Sequence, residues 1–566
     1  MNTFAFRFRQ SRSCRWRSVS RKVCGVAHVV KSRWFDSENR VAGYALTNSL
    51  GRGVTATLAY DGSRMSGMAF ALPNGGSFST ALTRNAARPD LVTRRAYSAN
   101  GSSIYSYDTS FDLLGRPVNA TDSQSLARSY LYNRRSELAA ATIGTNAYEY
   151  AYDTIGNRTV ASANSVTNTY AANNLNQYTQ VDASQLTYDA DGNLTQDDRF
   201  AYTYDAENRL LSVRPIAPVE GALAVVNAYD HDNRRILKRV ERFVDDAWAL
   251  VETHTFVYDG NNMVFERIID ADGSERIVEN FWGNDLSGTE QGAGGVGGLL
   301  AVSIDGSFYF PCYDQIGNVV CYVSEAGAIA AQYVYDPYGS VIDQNGALAD
   351  VFDIRFSTRY TDRETGLVSY KRRFYRPEHG RWLNRDPIEE MGGVNLYAFC
   401  LNNANSNLDR LGLNVTLTTG NRNVSWLRAG NRYFHQEICV DTWVWNEKSC
   451  CWRRTGRRSF SFAATGLGLS GPSDDWLGLN SPTGPGVIKG SVYETDDQGL
   501  EDTEVIETTP CQDRAFLKYL LSLDGKEDTY SLFRHNCRTF SQAMLDEAKR
   551  RNSNNDWRCK YDNKCN

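Results

Sequence analysis

The chain lacks proline, with 13 in 566 residues, and it lacks long hydrophobic runs. No stretch approaches the roughly 18 consecutive apolar residues of a bilayer-spanning helix, which excludes a helical membrane protein. It also lacks an excess of charge of either sign. Sixty-one Lys and Arg face 66 Asp and Glu, a net charge of −5, so no global field draws it to nucleic acid or anionic lipid. Residues 1–34 lack acid altogether while carrying seven Arg and two Lys. They also lack the apolar run of roughly 7–15 residues that marks a secretory signal peptide, and read as a disordered basic arm or a transit-like leader.

What is abundant is Tyr, 32 residues, and Gly, 45 residues, a pairing that favours strands and turns over helices. Only five Tyr lie after residue 413. From residue 35 to 413 the chain is a repeat array whose unit is Tyr-Asp, a short polar turn with Gly or Asn, and a β-rich stretch. Clear copies begin at Tyr152-Asp153, Tyr188-Asp189, Tyr204-Asp205, Tyr229-Asp230, Tyr258-Asp259, Tyr313-Asp314 and Tyr335-Asp336. Asp-Gly and Gly-Asn pairs supply the positive φ angles of hairpin turns. Alternation such as Phe200-Ala201-Tyr202-Thr203-Tyr204 sets the aromatics on one strand face. One hairpin cannot bury that face alone, so the spacing predicts hairpins joined in a continuous spiralling sheet. A β-propeller competes, but there is no Trp-Asp dipeptide and no fixed blade period.

These units resemble the YD repeats of Rhs and teneurin-type proteins. Residues 358–413 resemble the Rhs-associated core that closes such arrays. The resemblance is carried by Thr358-Arg359-Tyr360-Thr361, Glu364-Thr365-Gly366-Leu367, Gly380-Arg381-Trp382-Leu383-Asn384-Arg385-Asp386-Pro387, Gly392-Gly393-Val394-Asn395-Leu396-Tyr397 and Asp409-Arg410-Leu411-Gly412-Leu413. It implies a mainly β fold, a cage-like shell at 35–357 enclosing a C-terminal toxin, and a core block at 358–413 that cuts the chain. By the same resemblance Asp386 and Asp409 form an aspartyl-protease-like pair with Arg373 as helper, and the scissile bond is Leu413–Asn414. Two close carboxylates cannot both ionise, so one holds a proton while the other activates water. The departure is Arg410, where the family has Pro. The competing reading gives both Asp residues a structural role in turns.

Residues 414–566 are different material, with 20 basic and 20 acidic side chains and seven of the twelve Cys. No Cys-x-x-Cys spacing supports a zinc site, and no cofactor is implied. The alternating run Arg432–Val440 reads as a strand carrying His435 and Glu437 on one face. Near the other end, Asn536-Cys537 precedes a helical pattern with Phe540, Met544 and Leu545 on one side. A thiol at a helix N-terminus has a lowered pKa, and His435 would take its proton. The arrangement resembles circularly permuted papain-like (NlpC/P60-type) cysteine hydrolases of α+β fold, with Cys537 as nucleophile, His435 as base and Glu437 to orient it. The competing reading makes Cys537 a buried or disulfide-bonded thiol.

The chain is therefore expected to be a polymorphic-toxin fragment. Its shell would release a C-terminal cysteine hydrolase acting on protein or peptide amide bonds. Family analogy adds an immunity protein, delivery components and export, with no nucleic-acid partner. The alternatives are a nuclease toxin using His435, Glu437 and His535, or a non-enzymatic YD-repeat surface-binding protein. Seven acids between Glu494 and Glu507 repel phosphate and count against the nuclease.

Overall fold

The computed structural model describes residues 30–413, apart from Asn39 and the side chain of Met391, and beyond them only the backbone of strands at Arg15–Ser20, Val415–Leu417, Ile438–Asn446, Cys451–Ala464, Val487–Thr495 and Glu527–Ser531. It divides into two units, Met1–Gly430 and Asn431–Asn566. In the second unit the last four of those strands form one antiparallel sheet in chain order. Cys537, His435, Glu437, His535 and the expected helix near residue 540 lie outside the described residues.

The first unit is built from hairpins in strict sequence. Sixteen strands from Arg15–Ser20 to Ser184–Gln185 form one sheet, and fourteen from Thr187–Tyr188 to Val341–Asn345 form a second. This is the mainly β architecture that the Tyr and Gly content predicts. Two kinds of turn alternate. Tight turns close on the Asp-Gly pattern: Ile304 pairs with Ser307 across Asp305 and Gly306, whose φ values are 47° and 88°. The opposite ends carry the Tyr-Asp turns, and their chemistry repeats. The ladder shifts register just before Tyr152, Tyr204, Tyr229, Tyr258, Tyr313 and Tyr335. Such a bulge re-aims the side chain. Each of these hydroxyls then donates to a carbonyl of the preceding hairpin, as Tyr313 does to Leu299 at 2.6 Å and Tyr204 to Leu194 at 3.0 Å. The following Asp turns its carboxylate back on its own loop, Asp314 Oδ1 accepting from the N–H of Ile316 and of Asn318. Tyr fastens one hairpin to the last; Asp shapes the turn.

Aromatic faces pack the two sheets against each other. Phe310 sits 4.9 Å from both Phe70 and Phe78, centroid to centroid, and Tyr97 donates to the Tyr313 carbonyl. Tyr97, Tyr105, Tyr322, Tyr333 and Tyr375 are fully buried. Among the described residues no helix is long and apolar enough to cross a membrane.

Candidate functional site

Residues 358–413 form four short antiparallel strands, Tyr360–Thr361, Val368–Ser369, Phe374–Arg376 and Arg381–Trp382, and end in the strand Asn407–Asp409. Polar side chains seat this segment on the repeat turns. Asn402 Nδ2 donates to the Gly156 carbonyl at 2.8 Å, Tyr397 Oη to Gly192 at 2.8 Å and Thr358 Oγ1 to Gly317 at 2.6 Å. Those three glycines have φ of 87°, 82° and 87°, the left-handed conformation that turns their carbonyls towards the segment. Arg381 adds a cation–π contact at 3.8 Å to the Tyr178 ring.

On this platform Arg373, Asp386 and Asp409 meet, although 36 residues separate the first from the last. All three are buried, at 3 %, 6 % and 1 % exposure. Arg373 Nη2 lies 2.7 Å from Asp386 Oδ2 and 3.7 Å from Asp409 Oδ2. Its Nε donates to the Gly412 carbonyl at 2.5 Å, its Nη1 to Leu396 at 3.1 Å, and its guanidinium lies over Trp382 at 4.3 Å. One cation thus ties both carboxylates to the loop that leads to Leu413.

Asp409 Oδ1 accepts the N–H groups of Leu411, Gly412 and Leu413 at 3.0, 2.7 and 3.1 Å. The structural role in the turn and the position in a carboxylate pair therefore coexist in one residue. Its strand pairs with Val415–Leu417, Asp409 opposite Val415, so the Leu413–Asn414 bond lies in the connection between two paired strands. A side chain on Gly392 would bring its Cβ 2.3 Å from Asp386 Oδ2 and 2.7 Å from the Leu413 carbonyl oxygen. The Asp386 carboxylate and that carbonyl therefore converge on the bare backbone of Gly392.

Burial dominates the electrostatics. It pushes the Asp386 carboxyl up to about 6, against the pull of Arg373 and with a smaller push from Asp409. Asp409 is also raised by burial, opposed by Arg373 and by the three N–H donors. Burial lowers Arg373 from its ordinary value while the carboxylates hold it up. Burial thus favours the protonated form of both carboxyls, and Arg373 opposes it at both.

Two residues to which the sequence assigned no role belong to this geometry. Arg359, with Nη2 2.6 Å from the Arg410 carbonyl and Nη1 2.8 Å from that of Gly294, fixes the backbone at the position where the family pattern has Pro. Gly392 closes over the site. Asn414 lies outside the described residues.

Residues 77–244 and 294–404 match the family model of the Teneurin YD-shell. These two stretches, just under half of the chain, carry its likeness to a YD-repeat β-shell. The second matched stretch takes in Arg373 and Asp386 and stops short of Asp409. The chain is 31% identical over 273 residues to the tRNA3(Ser)-specific nuclease WapA of Bacillus spizizenii, covering 46% of this chain and 11% of that protein. It is 29% identical over 315 residues to the Double-stranded DNA deaminase toxin A of Burkholderia cenocepacia, covering 53% and 21%. In fold, the YD shell resembles the Photorhabdus luminescens Tc holotoxin pore, with a TM-score of 0.52 at 18% identity over 71% of this chain and 22% of that one. The chain thus spans no more than about a quarter of these relatives' length.

Proposed function

We propose that this chain is the shell and core of a polymorphic toxin that cuts itself at Leu413–Asn414 and so separates a C-terminal cargo from its YD shell. The observation that supports this is the meeting of Asp386, Asp409 and Arg373 around the Leu413 carbonyl. Asp386, whose carboxyl burial raises to about 6, holds the proton and gives it to the carbonyl oxygen. Asp409 takes a proton from the attacking water, and Arg373 keeps the two groups together without a full charge repulsion. Hydrolysis leaves a carboxyl on Leu413 and an amine on Asn414. The three side chains are buried and held in place before any reaction, which strengthens each electrostatic contact.

The cargo reading is that residues 414–566 are a cysteine hydrolase with Cys537 as nucleophile and His435 as base, exported with an immunity protein in the producer. The names of the relatives, a tRNA nuclease and a DNA deaminase toxin, favour a second reading in which this cargo acts on nucleic acid. Intact-mass analysis of the purified chain beside Asp386→Asn and Asp409→Asn tests the release. A fragment beginning at Asn414 in the parent and absent from both variants is the expected result; an uncut parent defeats the proposal. Toxicity of residues 414–566 that persists in Cys537→Ala defeats the hydrolase reading.

A further inference from the structure

The strands Ser307–Tyr313 and Val319–Ser324 form a hairpin in which Cys312 stands directly opposite Cys321. Both residues are fully buried, both are free thiols, and they lie close enough for Cys321 to perturb the Cys312 thiol. Facing residues of antiparallel strands have Cα atoms about 4.5–5.5 Å apart, within the span of about 4.4–6.8 Å that a disulfide bridges. Neither thiol has a part in the aspartate site.

What the hairpin holds gives the pair its interest. Its turn, Asp314–Asn318, is one of the seats of the core segment: Thr358 Oγ1 donates to the Gly317 carbonyl, and the Ser357 N–H donates to Asn318 Oδ1 at 2.7 Å. Just beyond the turn, the Val319 N–H donates to the Arg355 carbonyl at 3.1 Å. A bond between residues 312 and 321 would close the base of the loop whose tip grips the start of the core segment.

We propose that Cys312 and Cys321 are a disulfide site, oxidised across the hairpin by exchange with a small disulfide such as oxidised glutathione. Two S–H bonds are lost and one S–S bond forms, while the S–S bond of the oxidant is reduced to two thiols. Burial pushes the Cys312 thiol well above its ordinary pKa, so it offers almost no thiolate, and in the closed hairpin both sulfurs are buried away from an oxidant. Exchange therefore takes place when the hairpin opens or while the chain folds, and the finished bond is shielded from reductant once the shell closes. The site would be closed in an oxidising compartment and open where thiols are kept reduced.

The test uses the full chain, refolded from urea with oxidised glutathione or with dithiothreitol. Each sample is denatured, alkylated with a light reagent, reduced and alkylated with a heavy one, and residues 312 and 321 are read by mass spectrometry. The expected result is the heavy label on both cysteines after oxidation and the light label on both after dithiothreitol. The oxidised shell should melt about 3 °C or more above the reduced one, and this gain should vanish in both Cys312→Ala and Cys321→Ala but persist in Cys400→Ala. Light label on both cysteines after oxidation overturns the proposal without reference to any variant. So does a redox-dependent melting gain that survives in the Cys312→Ala/Cys321→Ala double variant.

Discussion

Two adjacent glycines make a sharp test of the aspartate site, because alanine would harm them for opposite reasons. Gly392 has φ −79° and ψ −15°, a conformation every residue adopts, so alanine there brings no backbone strain. Its new methyl would instead stand 2.3 Å from Asp386 Oδ2 and 2.7 Å from the Leu413 carbonyl oxygen. Ordinary carbon contacts are about 3.5–4.0 Å, so the carboxylate must retreat by about 1 Å. A misplacement of about 1 Å costs on the order of 100-fold in rate, while local overpacking costs about 1–3 kcal/mol of stability. Gly393 is the reverse case, with φ 136° and nothing within 4 Å of an added Cβ. Alanine at 393 therefore strains the chain and leaves the site clear. In a time course of Leu413–Asn414 cleavage after refolding, Gly392→Ala should slow release about 100-fold or more. Gly393→Ala should lower the melting temperature while cutting at close to the parental rate. A Gly392→Ala protein that cuts as fast as the parent refutes the convergence of Asp386 and Leu413 on that backbone.

Further outcomes follow from the carboxyl and from the repeat tyrosines. Burial raises the Asp386 carboxyl to about 6, so cleavage should fall as its proton is lost above that pH, and fall again at the acid end where Asp409, also raised by burial, is protonated and cannot act as base, measured by the same time course in buffers across roughly pH 4–9. The stability sign agrees. A carboxyl raised in the folded state holds its proton longer than in the unfolded chain, so stability is full below the ordinary carboxylate range and falls by about 3 kcal/mol as pH climbs through 6. Asp386→Asn should flatten that part of the melting curve against pH, and an unchanged slope would show that Asp386 is not the group responsible. Tyr313→Phe removes a buried hydroxyl from the Leu299 carbonyl and should cost about 1–2 kcal/mol in urea unfolding. The loss should be smaller at Tyr204, whose side chain is only partly buried.

The repeat itself was legible because Tyr-Asp recurs, but the physical rule is wider than that dipeptide. Asp112 follows a Phe, yet its Oδ1 accepts the N–H groups of Leu114 and Arg116 as the carboxylates of the Tyr-Asp units do. Asn133 and Asn173 shape equivalent turns with an amide oxygen. The constant is a short side-chain oxygen at the turn, which a search for Tyr-Asp misses. At the site, resemblance could point to Asp386, Asp409 and Arg373, and the structure brings all three together. It could not point to Arg359 or Gly392. Their roles arise from where distant backbone passes, the Arg410 carbonyl in one case and the Leu413 carbonyl in the other.

The seating of the core segment on Gly156, Gly192 and Gly317 bears on how such a chain can change over time. A hairpin gained or lost between the first and the last of these would carry one seat away from its side chain and pull Arg373 and Asp386 out of register with Asp409. Repeat number in this stretch is thus coupled to the chemistry, like the spacing of teeth cut for one key.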